Sequence, residues 1–81
     1  MKEIAQLEKT IESLNDRKDK LELKIEKRED SFENKSEKWQ ESEKGNEHEE
    51  KTQALRDTFE ELDTLISDLE FLKNNLDLLE L

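Results

Sequence analysis

The chain has 81 residues, 47% of them charged and 30% hydrophobic, so it forms at most one small domain, and a globular core would sit near zero net stability once chain entropy is counted. Its 24 acidic and 14 basic side chains leave a net charge of −10, which opposes direct binding to nucleic acid or to an anionic membrane. There is no cysteine to build a disulfide framework or a thiolate metal site, and with no proline and a single glycine only one position interrupts a helix.

With Ile4 taken as heptad position a, Ile4, Leu7, Ile11, Leu14, Leu21, Ile25, Phe32 and Trp39 all fall on a or d, and Lys18, Arg28 and Lys35 fill the remaining seam positions. An apolar seam of this period predicts a coiled-coil helix over about 2–44. Its outer positions are mostly Glu, Lys, Asp and Gln, with opposite charges four apart such as Asp16 and Lys20.

The break is expected at 45–46. Gly45 is able to end a helix in the left-handed conformation, with Lys44 suited to the negative end of the dipole, and Asn46 with Glu49 resembles a capping box. A second helix then runs over about 47–80, with Leu55, Phe59, Leu62, Ile66, Leu69 and Leu76 on its seam. Leu65, Leu72 and Leu79 add a stripe at g, and Leu78 and Leu81 widen the apolar face at the end. So short a connection predicts an antiparallel hairpin as a single domain over 1–81. Facing residues are then expected to have numbers adding to about 91, as Phe32 and Phe59 or Ile25 and Ile66 do, with Arg28 opposite Asp63. One unbroken helix is the rival arrangement, since a glycine inside a helix costs only about 1 kcal/mol.

Two features misfit a lone hairpin of that register. The first helix, about 60 Å long at ~1.5 Å per residue, overhangs the second and leaves Ile4 and Leu7 without partners. Glu22 and Glu29 at e flank Asp63, Glu70 and Asp77 at e of the second helix, while Arg17, Lys24 and Lys38 at g, with Lys20 and Lys27 at c, form a basic ridge lacking an acidic mate. Joining two hairpins relieves both misfits. The expected fold is therefore all-α, an antiparallel helical hairpin dimerising into a four-helix bundle, with Ile4, Leu7, Leu65, Leu72, Leu76 and Leu79 as self-association residues.

Little in the sequence points to chemistry. His48, the one histidine, reads either as a metal ligand or pH switch or as a polar residue tolerated near the turn; the Glu-x-x-His spacing of bundle metal sites is absent. Trp39 reads either as a lid over Ala54 and Leu55 or as an exposed aromatic anchor, which makes Trp39 and His48 the candidate partner-binding residues of the tip. Residues 1–45 hold 13 acidic and 11 basic side chains, net −2, and the remaining 36 hold 11 and 3, net −8. Outward Glu50, Asp57, Glu60, Glu61 and Asp68 of that acidic half form either a solvated face or a row imitating phosphates. No nucleophile–base pair or glycine-rich phosphate loop is present, so neither an enzyme nor a cofactor-binding protein is expected.

The run Ser36-Glu37-Lys38-Trp39-Gln40-Glu41-Ser42-Glu43-Lys44-Gly45, followed by Glu50-Lys51-Thr52, resembles short uncharacterised proteins of bacteriophages and bacterial mobile elements. That resemblance covers about a fifth of the chain and implies a phage or prophage setting and no chemistry. The longest aliphatic run, Leu78-Leu79, is far short of a membrane span, and Met1-Lys2-Glu3 does not open a signal peptide. The expectation is a cytoplasmic protein, in the host cytoplasm if phage-encoded, whose partners are a second copy of itself and another protein. Two functions fit: a coiled-coil interaction or structural module, or an acidic inhibitor or DNA mimic that blocks a basic protein. An RNA-binding hairpin using the Arg17, Lys20, Lys24 and Lys27 ridge is opposed by the interleaved acids.

Overall fold

The computed structural model describes residues 2–79 and is helical except at 34–36 and 41–42, with α1 (Lys2–Glu33), α2 (Glu37–Gln40) and α3 (Glu43–Leu79). The expected helix end at residue 80 and the place of Leu81 on the apolar face lie outside the described residues. α1 and α3 run antiparallel along a rod of 62 × 14 × 12 Å, and the single turn of α2 bridges their ends.

The chain reverses earlier than the glycine predicts. α1 stops at Glu33, some ten residues short of the expected end, and the reversal occupies residues 34–42. Serines organise it. Ser36 caps α2, its hydroxyl accepting from the Trp39 amide at 3.2 Å, and Ser42 precedes α3, its hydroxyl accepting from the Gly45 amide at 3.3 Å. Each serine is followed by an acid, Glu37 and Glu43, suited to the positive end of a helix. The Gln40 side chain reaches back to donate to the Phe32 carbonyl at 2.9 Å, which also accepts from the Lys35 amide, and to the Lys35 carbonyl at 3.2 Å, tying the end of α1 to the turn.

Gly45 does not end a helix. It lies buried in the first turn of α3 with no positive φ, and Asn46 continues that turn, donating to the Ser42 carbonyl at 3.0 Å. What requires glycine is close approach: a Cβ at this position would land on the carbonyl oxygens of Trp39 and Gln40. The end of α2 rests directly on the start of α3.

The register changes accordingly. Arg28 reaches Thr52 and Phe32 stacks on His48, pairs whose numbers add to 80, while the ion pairs Lys18–Asp63 and Glu8–Lys73 add to 81. The expected value of 91 is overturned, and Arg28 faces Thr52 rather than Asp63. In a reversed pair, both seams must step by three and four in the same phase. At 80 every seam position meets one, from Ile4 level with Leu76 through Ile11 with Leu69 and Leu14 with Ile66 to Ile25 with Leu55. At 91 only alternate layers coincide.

No overhang remains in this register. Ile4 is buried, as are Ile11 and Ile66, and Leu7 and Leu76 are half-buried in the same seam. Ile4, Leu7 and Leu76 therefore belong to the hairpin core, not to a free self-association face.

Truncating the most enclosed apolar residue of the seam, Ile66→Ala, is expected to cost about 2–5 kcal/mol in urea unfolding followed by circular dichroism. Leu23→Ala on the exposed side of α1 should stay within about 0.5 kcal/mol. Gly45→Ala should destabilise the hairpin although alanine favours helix by about 1 kcal/mol, because the methyl group pushes α2 away; Trp39 fluorescence reads that displacement directly.

Candidate interaction surfaces

At the tip, three rings close the end of the hairpin. Phe32 and His48 stack with centroids 5.8 Å apart, and the Trp39 ring meets both edge-on, at 6.1 Å from Phe32 and 5.9 Å from His48. Trp39 is thus half-buried against rings and covers neither Ala54, which is exposed, nor Leu55. Lys35 lies over its face, Nζ 5.3 Å from the ring centroid. His48 Nδ1 is buried and has no hydrogen-bond partner. A dent of about 230 Å³ beside these rings is lined by Arg28, Lys44, Glu47 and Lys51.

One helical turn from the rings, the seam turns polar. Arg28 donates from Nε to the Thr52 hydroxyl at 2.9 Å and from an Nη to the His48 carbonyl at 3.1 Å, and the same hydroxyl donates to that carbonyl at 3.0 Å. Thr52 is wholly buried, so its hydroxyl needs the two partners it has.

The two flanks of the seam differ in chemistry. On the e flank, Arg56 grips Glu29 through Nε and an Nη at 3.1 and 2.8 Å. Lys18 leaves the seam to meet Asp63 at 2.7 Å, and Lys73 leaves it to meet Glu8 at 3.3 Å. The hydrogen bond that the Lys18 ammonium donates to Asp63 holds it above its ordinary pKa. The expected clash of like charges at e is thereby relieved within the hairpin by seam lysines and Arg56. Such exposed pairs are screened by solvent and add little to stability, and the flank stays acidic overall, with Glu12, Asp19, Glu22, Glu26, Glu60, Glu70 and Asp77 on it.

The g flank is neither acidic nor cross-linked. α1 presents Arg17, Lys20, Lys24 and Lys27 there, and α3 presents Leu65, Leu72 and Leu79. Among the described residues every ion pair between the helices lies on the e side, and none involves these groups. Phe71 and Leu78 stand one position further round α3, so five large apolar side chains are exposed on its last 15 residues, from 46% at Leu65 to 82% at Leu79. That stretch, 65–79, carries only Asp68, Glu70, Lys73 and Asp77 as charges.

The structure therefore divides the sequence-predicted residues. Trp39 and His48 come together with Phe32 in the tip, and Leu65, Leu72 and Leu79 form an exposed row. Glu50, Asp57, Glu60, Glu61 and Asp68 are all exposed, spread round the outside of α3 rather than gathered at one point. Thr52 and Arg28 as a buried pair were missed by sequence reasoning; the signal was that both occupy seam positions in place of apolar residues. Among the described residues no group of three His, Cys, Asp or Glu is placed to hold a metal ion, and no helix is long and apolar enough to cross a membrane. No protein-family model, curated protein or solved structure matches the chain significantly.

Arg28→Met keeps the aliphatic stem and removes the charge-assisted bonds. A loss of about 1.5–3 kcal/mol in urea unfolding is expected, larger than for Thr52→Ser, which retains the hydroxyl.

Proposed function

We propose that the protein is a non-enzymatic helix–helix interaction module that self-associates, two hairpins joining into a four-helix bundle through the g flank of α3. The observation that carries this reading is the row Leu65, Leu72 and Leu79, widened by Phe71 and Leu78. Single exposed leucines are ordinary on protein surfaces, but four leucines and a phenylalanine on adjoining stripes of one helix, in a chain that is 47% charged, form a patch of the type that marks a contact. The acidic e flank keeps the opposite side soluble and discourages stacking there.

A second reading rests on that acidic flank together with outward Glu50, Asp57, Glu60 and Glu61: an inhibitor that occupies a basic surface of another protein, as a phage-encoded chain in a host cytoplasm would. The two readings differ in their response to salt, because charge–charge contacts are screened within about 8 Å at physiological ionic strength whereas apolar burial is not.

Sedimentation equilibrium at tens of micromolar is expected to give twice the chain mass, unchanged when sodium chloride is raised from 0.1 to about 0.5 M. Leu72→Glu should return a helical monomer, since it places a charge in the middle of the row. A wild-type chain that stays a helical monomer at that concentration overturns the self-association reading.

A further inference from the structure

The outward row of α3 has an internal order that the hairpin seam does not use. Leu65, Asp68, Leu72, Asn75 and Leu79 are spaced by three, four, three and four, a second heptad seam beside the one that packs on α1, with leucine in one class of position and a polar residue in the other. Such a seam is complementary to a helix of the same kind. The chain itself supplies one.

We propose that the occupant of this face is a second copy of the chain with its α3 parallel, the two-fold axis running along the helices and Asn75 meeting its own equivalent. The proposal rests on the self-association reading and adds its orientation. Two independent observations select the parallel form.

The first is the way seams mesh. In the hairpin, where the helices are reversed, each seam position meets the other class: Arg28 at d faces Thr52 at a, and Phe32 at a faces His48 at d. A reversed α3 pair would by the same rule set Leu72 against Asp68 or Asn75. In a parallel pair equivalents meet, leucine on leucine at 65, 72 and 79, with Asn75 paired across the seam, the arrangement by which a single polar residue fixes register in two-stranded coiled coils.

The second is charge. Beside the row, one side of the face is the basic ridge of α1 and the other is the acidic c positions of α3, Glu61 and Asp68. A two-fold axis along the helices lays α1 of one copy over α3 of the other, so ridge meets acid; an axis across the helices lays ridge on ridge. Within the hairpin Arg17 is level with Asp63 and Lys20 with Glu60, and an axial two-fold preserves those levels, which brings the partner's Arg17 and Lys20 beside Glu61. Glu61 and Asp68 each meet their own equivalents, but Asp68, level with Glu12, has no ridge cation beside it and marks where the interface is improvable.

The chain has no cysteine, so single introduced thiols report proximity without background. Asn75→Cys is expected to give a disulfide-linked dimer in mild oxidant, while a mixture of Asp68→Cys and Asn75→Cys chains should give homodimers and no mixed species. Asp68→Leu is expected to tighten the dimer, roughly tenfold in dissociation constant. A wild-type monomer in sedimentation removes the self-association reading and this one with it. A wild-type dimer in which the mixed 68–75 disulfide dominates, or in which Asn75→Cys forms none, leaves self-association standing and overturns the parallel orientation. Helicity of each variant by circular dichroism separates a lost contact from a lost fold.

Discussion

The meshing of two reversed seams governs this structure. Steps of three and four along α1 must be met by the same steps read backwards along α3, and the chain settles on the value 80, at which every seam position from Ile4 to Phe32 has a partner on α3. The pivot is then residue 40, and Gln40 stands there with its side chain closing the carbonyl end of α1. The position of the reversal, the burial of Ile4 near one end and the ring cluster at the other all follow from that value. Glycine is needed at 45 because a turn centred on 40 brings the backbone of α2 against α3 five residues later.

The same register sorts the charges. It places Lys18 and Lys73, too long and too polar for the seam, where each can swing to the e flank and find Asp63 or Glu8. Their stems remain over apolar neighbours, as when Lys18 Nζ passes 5.6 Å from the Phe59 ring. Part of the acidity of the e flank is consequently offset from inside, and the cations of the g flank have no such acid across the groove. The asymmetry of the hairpin thus comes from which way its seam lysines lean.

Much of this was legible in the sequence. The heptads of both helices, their antiparallel pairing and the leucine row at 65, 72 and 79 follow from spacing alone, because periodicity is a property of many residues and survives local misreading. The reversal was misplaced because a lone glycine has two meanings, a left-handed cap or a close backbone approach, and only the second holds at Gly45. Ser36-Glu37 and Ser42-Glu43 carried the better signal, each a cap residue with an acid in the first turn. The value 91 is matched by Phe32 with Phe59 and by Ile25 with Ile66, layers seven residues apart, because alternate layers agree for more than one value. The ring cluster needs the true turn before it can be seen, since His48 reaches Phe32 only when the numbers add to 80.

Apolar meshing alone does not choose 80 over its neighbours one heptad away. At 87 Leu21 would meet Ile66 and Ile25 would meet Leu62; at 73 Leu7 would meet Ile66 and Leu14 would meet Phe59. The leucine seam tolerates either slip. The polar seam residues do not: at 87 Arg28 would lie against Phe59 and Thr52 against Lys35, and at 73 Arg28 would meet Gly45 and Thr52 would meet Leu21. Either slip strands a half-buried guanidinium without the hydroxyl and carbonyl it now holds, a loss of about 1.5–3 kcal/mol for charged hydrogen bonds. In a chain with so small a core that is a large fraction of total stability. The Arg28–Thr52 pair occupies a layer where two leucines would bury more apolar surface, and its contribution is to make one register win. In the proposed parallel pair Asn75 would stand in the same relation to the leucines of the outer row: a polar residue that costs stability in a seam and excludes the alternatives to it.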